Sequence, residues 1–122
     1  MEDDNLIRKI YCELLAFMGH EVLECATNGE EAINMFKNFS IKPDLIIIDY
    51  RLPIKNGLNV MKEILKQDRE SKIMFASADN SIKEESLKSG AISFIEKPFN
   101  FTKLKEEITK LSQSKYREIS KM

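Results

Sequence analysis

"DLIIID", Asp44 to Asp49, decides the fold of this chain. It is a continuous run of β-favouring apolar residues closed by an acid. A strand that alternates apolar and polar residues covers one face; one that is apolar throughout suits a parallel sheet with helices on both faces.

The neighbouring segments agree. Upstream, "EVLECAT" (Glu21 to Thr27) alternates as a half-covered or edge strand does, and "NGEEAINMF" begins a helix after it. Before both, Leu6, Ile7, Ile10, Leu14, Leu15 and Met18 recur at helical spacing, with Gly19 where that helix would stop. Downstream, a helix is expected from about Gly57 to Lys66, a strand in "KIMFASA" (Lys72 to Ala78), a helix in "SIKEESLKSG" closed by Gly90, and a strand in "AISFIEK". Phe101, Leu104, Ile108 and Leu111 then stripe a final helix whose tail from Ser112 on is polar. Strand and helix alternating in this way predict a doubly wound parallel α/β domain with right-handed crossovers. Function in such sheets gathers at the carboxyl ends of the strands.

Bulk properties narrow the function. With 122 residues the chain is expected to form a single domain. Lys and Arg number 19 against 20 Asp and Glu, a net charge of −1, and no basic block marks direct nucleic-acid binding. No apolar run approaches a membrane span, so a soluble cytoplasmic protein is expected. Cys12 and Cys25 form no C-x-x-C pair and follow no signal peptide, which predicts separate reduced thiols.

Three polar residues follow apolar strands and precede turns: Asp49, Ser77 and Lys97. Singly, Asp49 serves as a turn cap as readily as a catalytic acid, a hydroxyl like Ser77 is common at strand ends, and Lys97 is an ordinary solvated charge. Pro98 and Phe99 would hold Lys97 in place. The predicted topology brings all three to one edge of the sheet.

"LIIIDYRLPIKNG", "FASA" and "SFIEKPF", with the acids Glu2, Asp3 and Asp4 ahead of the first helix, resemble the receiver domain of two-component response regulators over almost the whole chain. The resemblance implies a flavodoxin-like three-layer sandwich with strand order 2-1-3-4-5. It implies that an aspartate accepts a phosphoryl group from a sensor histidine kinase or phosphotransfer protein and that the altered surface addresses a downstream effector protein. By position, Asp49 matches the phosphoacceptor, Lys97 the lysine that contacts the phosphoryl group, Ser77 the hydroxyl that hydrogen-bonds it, and Phe94 the aromatic switch. Asp3 matches the direct carboxylate ligand of Mg²⁺, Glu2 the one acting through water, and the Arg51 carbonyl the remaining protein ligand beside Asp49. Mg²⁺ suits such a set, since it takes a few protein oxygens and keeps several waters.

The family pattern has an apolar strand before the acidic pair, and here only Met1 stands in its place. The expectation is therefore a receiver without its first strand, with four readings open: the strands on either side close up, another molecule fills the gap, self-association included, the isolated chain folds poorly, or Met1 is an internal methionine of a longer protein. Glu2 and Asp3 would then be poorly anchored, which weakens the magnesium half of the site. No output domain is expected after the final helix, so the surface of the fourth helix, last strand and final helix would carry the signal.

Other functions stay open. A phosphatase of the haloacid dehalogenase type needs a second Asp two places after the nucleophile, where Arg51 stands. A flavin carrier needs a phosphate-binding loop of Ser, Thr and Gly after the first strand, and "EDDN" would repel a phosphate. A pseudo-receiver, working through protein contacts without phosphorylation, is the alternative the absent strand keeps alive.

Overall fold

The computed structural model describes residues 5–23, 25–26, 28–49, 57–98 and 100–120. In chain order the elements are α1 (Asn5–Phe17), α2 (Gly29–Asn38), β1 (Ile46–Asp49), α3 (Gly57–Gln67), β2 (Ile73–Ser77), α4 (Ile82–Lys88), β3 (Ser93–Glu96) and α5 (Phe101–Ser120). The three strands pair in parallel in the order β1-β2-β3, with Asp49 opposite Ala76 and Ser77 opposite Glu96. Parallel neighbours aligned in this way present their carboxyl ends along one edge.

Local chemistry sets the helix ends. Asn28 Oδ1 accepts from the Glu31 N–H at 2.9 Å, capping α2, and Glu30 and Glu31 place negative charge at its positive end. Asn100 Oδ1 does the same for α5 through the Lys103 N–H. Gly90, at φ +121°, takes the left-handed turn that ends α4.

The period-two alternation of the strands divides the core in two. Ile48, Ile73 and Phe75 point to one face, where Ile33 and Phe36 of α2 and Met61 and Ile64 of α3 cover them. Met74, Ala76 and Ile95 point to the other, against Leu104 and Ile108 of α5 with Leu14 and Leu15 of α1. All five residues of β2 are buried, as a central strand between two helical layers requires. Gly57 opens α3 directly against the sheet: a Cβ there would stand 3.0 Å from Ile48 Cγ2 and Phe75 Cζ. The helix therefore starts just beneath the end of β1.

Two expectations need correction. Glu21 to Thr27 was expected as a strand, yet among its described residues none is in a strand. Alternating burial is present, with Ala26 buried and Leu23 43% exposed, but among the described residues no backbone hydrogen bond joins them to a neighbouring segment. A strand is defined by its ladder, and among the described residues none pairs with this segment. Cys12 and Cys25 were expected as separate thiols, but the structure joins them in a disulfide between α1 and this segment. Cys25 comes to lie against α1, which brings the two sulfurs together.

Candidate functional site

Asp49 ends β1, Ser77 ends β2, and Lys97 follows β3 by one residue, its N–H donating to the Ser77 carbonyl at 2.9 Å. The parallel register carries all three to one edge. The Lys97–Pro98 peptide is cis. Lys97 Nζ donates to Asp49 Oδ2 at 2.5 Å, reaching across the end of β2. The Asp49 side chain is 1% exposed and that of Lys97 19%. The pair is thus a carboxylate held inside the protein and an ammonium that retains contact with water.

Ser77 is equally buried. Its Oγ accepts from the Asp79 N–H at 3.0 Å, which fixes the oxygen while leaving the hydroxyl proton to be donated elsewhere. Asp79 is in turn held by Ser81: its Oδ1 accepts from the Ser81 hydroxyl at 2.6 Å and the Ser81 N–H at 3.0 Å. The hydroxyl bond first, and the backbone bond second, hold the Asp79 carboxyl below its usual range. The link from Ser77 through Asp79 to the start of α4 is a part of the site that sequence reasoning missed. Its signal is the run "SADNS", in which Ser and Asp bond backbone N–H groups two residues on.

Phe94 lies within β3 opposite Phe75, half-buried against the core formed with α2 and α3. It sits on the same sheet but not among the groups bonded to Asp49. Glu2, Asp3 and Arg51 lie outside the described residues. Among the described residues no group of three or more His, Cys, Asp or Glu side chains is placed to hold a metal ion. None of the described helices is long and apolar enough to cross a membrane.

A buried carboxylate, a lysine and an oriented hydroxyl at the end of a parallel sheet can receive an anionic group: the carboxylate as nucleophile, the other two as counter-charge and donor. Comparison with known proteins gives the family. The sequence matches the model of the response regulator receiver domain over residues 1–109. It is 35% identical to the chemotaxis protein CheY of Thermotoga maritima, covering 93% of this chain and 94% of that one. Among solved structures, the response regulator protein TrrA of Thermotoga maritima, in complex with Mg²⁺-BeF, is 36% identical with a TM-score of 0.80, covering 90% of this chain and 93% of that one. A CheY-like receiver domain protein of Methanospirillum hungatei is 28% identical with a TM-score of 0.83, covering 95% and 93%. The relatives include signalling proteins whose whole length this chain nearly spans, and their fold is the flavodoxin-like α/β sandwich. By its sequence and its fold, this chain belongs to the response regulator receiver domain family.

Proposed function

We propose that this chain is a phosphoacceptor: it takes a phosphoryl group onto Asp49 from a sensor histidine kinase, a phosphotransfer protein or a small phosphodonor, and passes the signal to an effector protein. The observation that carries the proposal is the buried Asp49–Lys97 pair with Ser77 at the same sheet edge. One carboxylate oxygen of Asp49 attacks phosphorus. The bond from phosphorus to the donor breaks, and the donor departs with the electron pair, as acetate from acetyl phosphate or as imidazole from a phosphohistidine. Lys97 faces the negative charge on the phosphoryl oxygens, and its partial exposure lets it follow the group. Ser77 donates its free proton to one of those oxygens.

The donor chemistry fits magnesium in part. Asp49 offers the hard carboxylate oxygen that the ion prefers, and the Mg²⁺-BeF complex of TrrA supports the same ion here. Glu2, Asp3 and the Arg51 carbonyl are the further candidate ligands. When bound there, Mg²⁺ would supply further positive charge against the negative charge of the incoming phosphoryl group.

Donation by Ser77 draws its oxygen toward the phosphoryl group and away from the Asp79 N–H. Phe94 is the proposed aromatic of the response; lacking a phenolic hydroxyl, it turns inward by packing alone. Intact-mass measurement after incubation with acetyl phosphate and Mg²⁺ tests the assignment. The wild type gains one phosphoryl mass and Asp49→Asn gains none. Equal labelling of both refutes Asp49; no labelling of either favours the pseudo-receiver.

A further inference from the structure

Ser81 stands at the start of α4, a position where a hydroxyl oxygen ordinarily accepts from a backbone N–H of the helix. Its side chain makes no such bond. Instead the hydroxyl turns back along the chain and donates to Asp79 Oδ1 at 2.6 Å, and the Ser81 N–H donates to the same oxygen at 3.0 Å. The Ile82 N–H bonds the Asp79 carbonyl at 3.1 Å, so the backbone of Asp79, not the side chain of Ser81, caps this turn. The Ser81 hydroxyl is committed to Asp79.

What that commitment fixes is the direction of the Asp79 N–H. Asp79 is exposed, and a turn residue in water keeps its backbone freedom unless bonds remove it. Here its carboxylate, held below the usual range and so charged at neutral pH, receives two charge-assisted bonds, each roughly twice as strong as a neutral one. With the residue held in this way, its N–H stays on the Ser77 Oγ, 3.0 Å away. Ser77 is 1% exposed, so the surrounding water has little access to that oxygen. Any movement of the hydroxyl toward a phosphoryl group on Asp49 must first break the bond from Asp79.

We infer that Ser81 is a positioning residue for phosphoryl transfer: acting through Asp79, it latches the Ser77 hydroxyl in its resting place and sets how readily that hydroxyl swings to an incoming phosphoryl oxygen. The inference rests on Asp49 as the phosphoacceptor. Ser81→Ala loosens the bond between the Asp79 N–H and Ser77 without deleting either partner. A neutral hydrogen bond makes a several-fold difference to an equilibrium, and weakening it recovers part of that. Labelling by acetyl phosphate and Mg²⁺ is therefore expected to run about two- to fivefold faster in Ser81→Ala than in wild type. The direction separates this role from a structural one, since damage to α4 slows a reaction and does not speed it.

The test follows the labelling rate of the intact chain by mass in wild type, Ser81→Ala and Ser81→Thr, and again with Ser81→Ala placed in a chain already carrying Ser77→Ala. Ser81→Thr keeps the hydroxyl and is expected to restore the wild-type rate. In the Ser77→Ala chain, Ser81→Ala is expected to change nothing, because no hydroxyl remains to be latched. Amide exchange supplies a reading that needs no phosphorylation: the Asp79 N–H is expected to exchange about threefold or more faster in Ser81→Ala, while the Ser86 amide inside α4 keeps its wild-type rate. Labelling no faster in Ser81→Ala, the same gain in Ser81→Thr or in the Ser77→Ala chain, or an Asp79 amide that exchanges no faster each overturns the role of Ser81 and leaves the reading of Asp49 standing. Wild type that takes no label overturns the reading of Asp49, and the role of Ser81 with it.

Discussion

Lys97 Nζ and Asp49 Oδ2 meet across the end of β2, yet the two residues differ in what they can do if the other is removed. Asp49 is enclosed, and its carboxylate stays in the interior; Lys97 is one-fifth exposed and reaches water. Breaking a buried pair is costly mainly for the charge left inside.

The expected outcome is an asymmetry between two single substitutions. Lys97→Ala leaves the buried carboxylate without its ammonium and costs about 3 kcal/mol. Asp49→Ala lets the lysine turn outward and costs about 1 kcal/mol or less. Urea denaturation of both variants at neutral pH checks this, read from midpoints at unchanged slope. Equal losses would mean that the pair is solvated more than its burial indicates.

Ser77 yields a second expectation, for rate instead of stability. Its Oγ is already fixed by the Asp79 N–H, so its proton is poised to meet a phosphoryl oxygen. Ser77→Ala removes one charge-assisted hydrogen bond, and the rate of labelling by acetyl phosphate falls by about tenfold to a hundredfold. Ser77→Thr keeps the hydroxyl and stays within a few-fold of wild type. A rate unchanged in Ser77→Ala would remove the residue from the chemistry.

How much of this was legible in the sequence depended on whether the deciding interaction was local. The apolar run Leu45–Ile48, the helical spacings and the "KIMFA" strand each carry their burial pattern within a few residues, and all appear as elements. Asp49, Ser77 and Lys97 were found because strand ends are readable and parallel topology then brings them together. Glu21 to Thr27 failed for the opposite reason: alternation records which side chains are half-covered, but a strand also needs a neighbouring backbone, and that neighbour is not encoded in the segment. The Cys12–Cys25 bond followed from the same error, since it depends on where that segment comes to lie. The contact of Ser93 with Glu107, between β3 and α5, is a side-chain pairing that neither periodicity reports.

That contact carries a pH dependence. Ser93 Oγ donates to Glu107 Oε2 at 3.1 Å, and Lys103 lies 3.3 Å from Oε1. Partial burial pushes the carboxyl up, but the Ser93 hydroxyl, Lys103 and the nearby charge of Lys110 outweigh it, and the net shift is below the ordinary value of 4.5. A depressed carboxyl binds fewer protons folded than unfolded. Its stabilisation is therefore present above about pH 4.5 and is lost as the pH falls through the lower folded value. The stability difference between wild type and Ser93→Ala, measured by denaturation across that range, is expected to be largest near neutral pH and to shrink in acid. A difference that grows in acid would reverse the sign.

Gly90 tests the turn that sends the chain from α4 into β3. At φ +121° it occupies backbone space that side chains disfavour, and a Cβ there would stand 2.5 Å from Leu65 Cδ1. Leu65 ends a flexible side chain and can move, so the backbone conformation is the larger obstacle. Gly90→Ala is expected to cost about 1 to 3 kcal/mol, with Leu65→Ala in the same chain recovering the steric part only. Complete recovery in the double variant would assign the whole cost to the collision.

The disulfide gives the last expectation, because it ties α1 to Cys25, a residue that stands in no strand. Cys12 and Cys25 are 13 residues apart, and closing a loop of that size stabilises a protein by about 3 kcal/mol through the unfolded chain's lost freedom. The strands β1 to β3 would hold without such a link; here the covalent bond stands where Glu21, Val22, Leu23, Cys25 and Ala26 make no backbone hydrogen bond to another described segment. Reductant should therefore lower the denaturation midpoint of the wild type and speed amide exchange first at Val22 to Ala26, leaving β1 to β3 slow. Cys25→Ser should start from the lower stability and no longer respond to reductant. A wild type indifferent to reductant, or one whose central strands loosen together with Val22 to Ala26, would show that the bond is not what holds this segment to α1.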